Sequence, residues 1–267
     1  MVDQDHSKTR RIVGTRLYGM GAANISAPDW MREWCGHALG YADAVLIAAD
    51  RGCHSLLLEQ LYDHESRVTV LLVEPWLGVT HPLNTLVEKA LLDGASELIL
   101  QSGEVWMEKP CIEAMSHHLE ENTLVVGAKM SDSHADSTGL VPLTGLTSPW
   151  NTMALWNLEK LARTGFLTVS SGLLDGIPGG MEEIVTISLL QQLDPEYCLA
   201  KIFTAPGLDW RTDQMKPERR ALHEAKMQTK RRRAEQQLRH LGISSGSVLI
   251  LDPLEKHRGF SGTHANT

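Results

Sequence analysis

Apolar and polar positions follow two periods along this chain. Short, largely apolar runs recur at 11–18, 44–49, 68–73, 98–100, 123–127 and 198–203. The run at 44–49, Ala-Val-Leu-Ile-Ala-Ala, has no polar position at all, as expected of a strand covered on both faces. Between the runs, apolar residues three and four apart predict helices over 28–39, 55–62, 83–92 and 110–119, with Ser26 as a cap for the first. Strands alternating with helices predict a layered α/β domain with a mostly parallel central sheet.

The pattern changes further on. Residues 131–149 are rich in Ser, Thr, Asp, Gly and Pro without a period, and read as a loop. Met153, Leu155, Trp156, Leu158 and Leu161 predict a helix over 151–162. A glycine-rich loop at 170–180 precedes an apolar helix over 181–193. A long polar helix then spans 216–241, and 242–267 reads as a partly ordered tail. The expected division is a flexible N-terminus at 1–10, an α/β domain at 11–210, a basic helical segment at 211–241 and a tail at 242–267.

Composition narrows the class. No apolar run approaches the ~18–20 residues of a membrane span. The charged N-terminus lacks an apolar signal core, so a cytoplasmic protein is expected. Cys35, Cys53, Cys111 and Cys198 form no CxxC pair, which favours reduced thiols over a disulfide framework or zinc knuckle. Net charge is −8, yet 211–240 holds ten Lys/Arg against four Asp/Glu. That balance argues against a general nucleic-acid partner. It suits a local site for one small anion, or a solvated helix face.

The residues able to carry chemistry cluster at predicted strand and helix ends. Strand 44–49 ends in Asp50-Arg-Gly-Cys, and Gly78-Val-Thr-His-Pro-Leu-Asn84 leads into a helix. Strand 98–100 runs into Gln101-Ser102-Gly103-Glu104. Gly179-Gly-Met-Glu182-Glu183 opens the apolar helix, where the dipole favours ionised carboxylates. Acidic residues are common in first turns for that same reason. Trp150-Asn151-Thr152 lies between the last two, either as an aromatic and amide surface or as a staple and cap of the helix that follows. His223, Lys226, Lys230 and Arg233 fall at offsets 0, 3, 7 and 10 on one helical face. Trp30, Trp34, Trp76, Trp106, Trp156 and Trp210 read as core or interface residues.

In this order, the motifs resemble the family 2 glycosyltransferases of GT-A fold over roughly 11–240. The resemblance implies a GT-A-like sheet flanked by helices, with the long basic helix at its C-terminal end. It implies a nucleotide-diphosphate sugar as donor and a carbohydrate or other hydroxyl group as acceptor. Asp50 matches the residue that reads the nucleobase and Asn84 the helix motif, with Thr15 also on the donor side. The 101–104 turn stands where the family has Asp-x-Asp. That motif holds Mg²⁺ or Mn²⁺ against the diphosphate, and here Glu104 alone remains as a metal ligand. Glu183 matches the general base of inverting members, with Glu182 beside it. Trp150 and Asn151 fall in the acceptor interval. His223, Lys226, Lys230 and Arg233 would lie near the diphosphate and supply part of the missing metal charge.

The leading expectation is therefore an inverting glycosyltransferase. Its rival is a non-catalytic GT-A-like module whose eroded motif records lost catalysis. A third reading, a nucleotidyltransferase, requires a glycine-rich and basic triphosphate loop after the first strand, which Thr15-Arg16-Leu-Tyr-Gly-Met-Gly21 meets poorly.

Overall fold

The computed structural model describes residues 9–19, 30–61, 66–130, 134, 137–211 and 217–251. In it, β1 (Arg11–Leu17), β2 (Ala44–Ala49), β3 (Val68–Leu72) and β4 (Glu97–Gln101) form the parallel half of a nine-stranded sheet. Helices α1 (Met31–Ala38), α2 (Arg51–Gln60) and α3 (Thr80–Leu92) alternate with these strands, as the apolar period predicts. The strand order β3-β2-β1-β4 reverses direction between β1 and β4. Such a switch point leaves a crevice at the carboxyl ends of the two strands, where α/β folds bind ligands.

The second half departs from the expectations in three places. Residues 151–162 are not one helix: Met153–Asn157 is strand β8, followed by the short helix α5 (Leu158–Ala162). β8 runs antiparallel between β4 and β6 (Thr123–Ala128), with Met153 to Trp156 all buried. Met, Ala and Leu favour helix in isolation, but two flanking strands supply the ladder that decides the outcome. Asn157 caps α5, its Oδ1 accepting from Lys160 N at 3.1 Å. Trp150 and Asn151 therefore precede a strand and cap no helix.

The expected loop at 131–149 contains strand β7 (Gly139–Pro142) at the sheet edge. The expected tail contains β11 (Ser247–Ile250), which lies between β7 and β9 (Leu199–Phe203). The sheet thus continues past the boundaries expected at 210 and 241, and α7 (Pro217–Leu241) is an excursion from one layered unit. Residues 1–8 and 252–267 lie outside the described residues. Helix α4 (Lys109–His117) packs on β6. A two-stranded ribbon pairs β5 (Val105–Trp106) with β10 (Asp209–Trp210). The four cysteines are free and buried. Among the described residues no helix is long and apolar enough to cross a membrane.

Candidate active site

A cleft of about 1040 Å³ opens at the switch point. β1 contributes Thr15 and Arg16, and the end of β4 contributes Gln101 to Glu104. Helix α6 (Glu182–Leu193) contributes Glu182 and Glu183, and α7 contributes Met227, Lys230 and Arg233. Ser102 and Asn151, 49 positions apart in sequence, are brought together because β8 returns beside β4.

The start of α6 is an unusual piece of backbone. Gly180 (φ 84°) and Met181 (φ 64°) are both left-handed, a conformation that costs a residue with a side chain about 1–3 kcal/mol. The turn aims the first carboxylates of a buried helix at the cleft: Glu182 is 3% exposed and Glu183 5%. It is held from behind by α7. Gln237 Nε2 donates to Pro178 O (2.6 Å) and Gly180 O (2.7 Å), and Ser170 Oγ donates to Gln237 Oε1 (3.0 Å). Arg233 donates to Gly179 O at 2.8 Å.

The two carboxylates have different surroundings. Glu182 Oε1 accepts from Asn151 Nδ2 at 3.2 Å and from Arg16 at 3.4 Å. Asn151 is itself anchored by Trp156 Nε1, which donates to its Oδ1 at 3.0 Å. Burial, and next the charge of Glu182, pushes the Glu183 carboxyl well above the usual range, while Lys230 and Arg16 pull it back. Burial likewise pushes the Lys230 ammonium down, against the attraction of Glu183. Such paired perturbation in a cleft marks groups suited to proton transfer.

Lys230 Nζ lies 2.8 Å from the centroid of the Trp150 ring, a cation–π contact. His134 stacks on that ring, with centroids 4.0 Å apart. Its tautomer is set by its neighbours: Nδ1 accepts from Met130 N, so Nε2–H donates to Ser148 O. Burial holds its pKa down at about 4, so it stays neutral. Trp150 Nε1 donates to Gly145 O at 3.0 Å, and only 2% of this tryptophan is exposed. Its role in the cleft is to support Lys230.

The 101–104 turn is built differently. Gln101 faces the core, its Nε2 donating to Val105 O (2.8 Å) and its Oε1 accepting from Tyr41 (2.8 Å). Glu104 accepts a hydrogen bond from Ser102 Oγ. Gly103 is packed against the Trp30 ring, leaving no room for a Cβ. Among the described residues no three His, Cys, Asp or Glu side chains come together as a metal site. One hydrogen-bonded carboxylate beside a core-facing amide does not supply the hard oxygen set that Mg²⁺ or Mn²⁺ prefers.

The remaining expected residues have local partners. Asp50 caps α2, accepting from Cys53 N (2.9 Å) and Gly19 N (2.8 Å). Asn84 clasps the backbone of Phe166, donating to its O (3.0 Å) and accepting from its N (2.8 Å). Neither lines the cleft. The side chains of His223 and Lys226 lie outside the described residues.

Several cleft residues escaped sequence reasoning. Trp34 and Trp156 are core residues as expected, but Trp30, Trp76, Trp106 and Trp210 line the cleft with Trp150. Tyr18 stacks on Trp76 with centroids 4.9 Å apart. Arg211 and Arg16 also line it. Arg16 carried a readable signal, being a charge at the carboxyl end of an apolar strand. Trp106, Trp210 and Arg211 carried none, because a two-residue ribbon has no period.

No protein-family model and no curated protein matches the chain by sequence. By structure it is similar to glucosyl-3-phosphoglycerate synthase from Mycobacterium tuberculosis in complex with Mn²⁺, uridine-diphosphate and phosphoglyceric acid. The TM-score is 0.51 at 12% identity, over 88% of this chain and 80% of that one. It is also similar to 4-diphosphocytidyl-2C-methyl-D-erythritol synthase from Anaerococcus prevotii, with TM-score 0.50 and 9% identity, over 82% and 99%. These likenesses establish a GT-A-like fold for this chain, with its mixed but mostly parallel sheet and flanking helices.

Proposed function

We propose that this protein is an inverting glycosyltransferase that uses a nucleotide-diphosphate sugar. One observation carries the reading: the Glu182–Glu183 pair opens α6 in the same cleft that the carboxyl ends of β1 and β4 line. In the step, an acceptor hydroxyl oxygen bonds to the anomeric carbon from the face opposite the leaving group. The bond from that carbon to the β-phosphate oxygen breaks, and its electron pair leaves with the nucleoside diphosphate. Glu183 takes the hydroxyl proton. Lys230 favours the ionised form of Glu183 that this requires.

Glu182, held by Asn151 and Arg16, is the positioning partner. Thr15, Ser102, Gly103 and Glu104 form the donor side. The half-buried faces of Trp30, Trp76 and Trp210 offer flat apolar surfaces for sugar C–H groups, with Trp150 behind Lys230.

The test is a thermal-shift panel of UDP-, GDP-, CDP- and dTDP-sugars, each with and without Mn²⁺, followed by transfer assays with the sugar that binds. A ligand at 100 times its Kd adds roughly 2.7 kcal/mol to stability. Stabilisation by one nucleotide together with sugar transfer is the expected result. Stabilisation without transfer to any hydroxyl acceptor would favour the non-catalytic module.

A further inference from the structure

We propose that Arg211, together with Arg16, meets the donor diphosphate in place of a divalent ion, so that nucleotide binding by this chain is independent of metal. The inference rests on the nucleotide-sugar reading above and concerns the same cleft. It starts from the 101–104 turn, whose side chains make a poor cation site: Gln101 is bound to the core, and Glu104 is engaged with Ser102.

A cation of another kind is fastened to that turn. Arg211 N donates to Glu104 O at 2.9 Å, directly continuing the ribbon in which Trp210 pairs with Val105. The guanidinium lies 4.3 Å from the centroid of the Trp106 ring, and its Nε donates to Asp209 Oδ2 at 2.8 Å. Stacking on one side and a carboxylate on the other fix its orientation before any ligand arrives. Among the described residues its terminal nitrogens meet no acceptor, and the side chain is 35% exposed, so it is open to the cleft it lines.

Arg16 approaches from the end of β1. One of its terminal nitrogens donates to Val79 O at 2.8 Å, and the other lies 3.4 Å from Glu182. Planar guanidinium groups bind phosphate oxygens through paired N–H donors, a geometry that suits a diphosphate. Two of them supply the same formal charge as one divalent ion. The two α7 cations that line the cleft among the described residues are committed elsewhere, Lys230 to Glu183 and the Trp150 ring and Arg233 to Gly179 O.

The experiment is calorimetric titration of the whole chain with UDP, GDP, CDP and dTDP, in EDTA and in Mn²⁺. One nucleotide is expected to bind in EDTA within about twofold of its Mn²⁺ affinity. Arg211→Gln is expected to weaken it at least tenfold at unchanged melting temperature, the scale of a lost charge-assisted hydrogen bond. Arg211→Lys, which keeps the charge without the fork, should fall between. Binding that needs Mn²⁺ and is lost in Glu104→Gln, but kept in Arg211→Gln, overturns this inference and leaves the nucleotide reading standing. Failure of all four nucleotides under both conditions overturns the nucleotide reading itself.

Discussion

The two walls of the cleft handle charge in opposite ways. On the α6 and α7 side charge is buried: Glu182 and Glu183 are almost fully covered, and Lys230 sits against an aromatic ring. On the β1 and β4 side it is carried by guanidinium groups that are about a third exposed, Arg16 at 33% and Arg211 at 35%. Buried charges depend on one another, because each would be costly alone. Their protonation moves with their neighbours. Exposed arginines keep a fixed charge and act through position, and their attraction is screened by salt. One wall is suited to moving a proton, the other to holding an anion.

The sharpest way to break this division is to remove the proposed proton acceptor. Glu183→Gln is expected to lower kcat by roughly 10²–10⁴, the usual worth of a general base, while nucleotide affinity stays within about twofold. An equal loss in Glu182→Gln with none in Glu183→Gln would reverse the assignment within the pair. A loss of nucleotide affinity in Glu183→Gln would erase the distinction between the walls.

The next effect concerns pH. On the proposed mechanism the base works ionised, so kcat/KM should rise as pH climbs through the Glu183 pKa, which burial and Glu182 hold above the ordinary carboxylate range. The acidic limb should therefore lie at higher pH than an exposed glutamate would give. Lys230→Met removes a charge that pulls this pKa down and should move the limb to still higher pH. The same raised pKa bears on stability with a definite sign. Its contribution is complete below the unfolded carboxylate pKa and is lost as pH rises through the native value. A limb that stays put in a folded Lys230→Met variant would uncouple Lys230 from Glu183.

A smaller effect comes from the way α7 is seated. A Cβ on Gly145 would lie 2.6 Å from the backbone carbon of Lys230 and 2.8 Å from Arg231 N. Gly145→Ala must push the helix backbone outward, at a cost of about 1–3 kcal/mol. Thermal melting should register that loss. The fall in activity should exceed the fall in nucleotide affinity, since α7 supports the wall that carries the proposed base.

The walls also differ in how far they can be read from sequence. Glu182 and Glu183 announce themselves by opening an apolar helix after two glycines, and the 101–104 turn by following a buried strand. What the sequence conceals is long-range pairing. β8 is composed of helix-favouring residues whose spacing also fits a helix, and only its place between β4 and β6 makes it a strand. β11 reads as tail because four residues carry little pattern, and its partners lie in β9 and β7. The ribbon that brings Arg211 to Glu104 joins residues about a hundred positions apart with two residues on each side. Hence the acidic wall of the cleft is largely legible, while the cations and aromatic rings facing it are not. Trp106 and Trp210 look like core residues until that pairing is known.

The smallest predicted effect separates two roles for one residue. Asp50 occupies the position that a base-reading aspartate would hold, yet both of its carboxylate oxygens already accept backbone N–H groups, from Cys53 and from Gly19. Asparagine keeps one acceptor for the helix cap and presents a donor to the other N–H, so Asp50→Asn should cost about 0.5–1 kcal/mol of stability. If capping is the whole role, nucleotide affinity stays unchanged at temperatures where the variant is folded. A carboxylate that reads the base predicts the reverse, an affinity loss near tenfold with little change in melting temperature. Measuring both on the same preparation decides the matter, because a cap acts through folding and a base contact acts through the bound state alone.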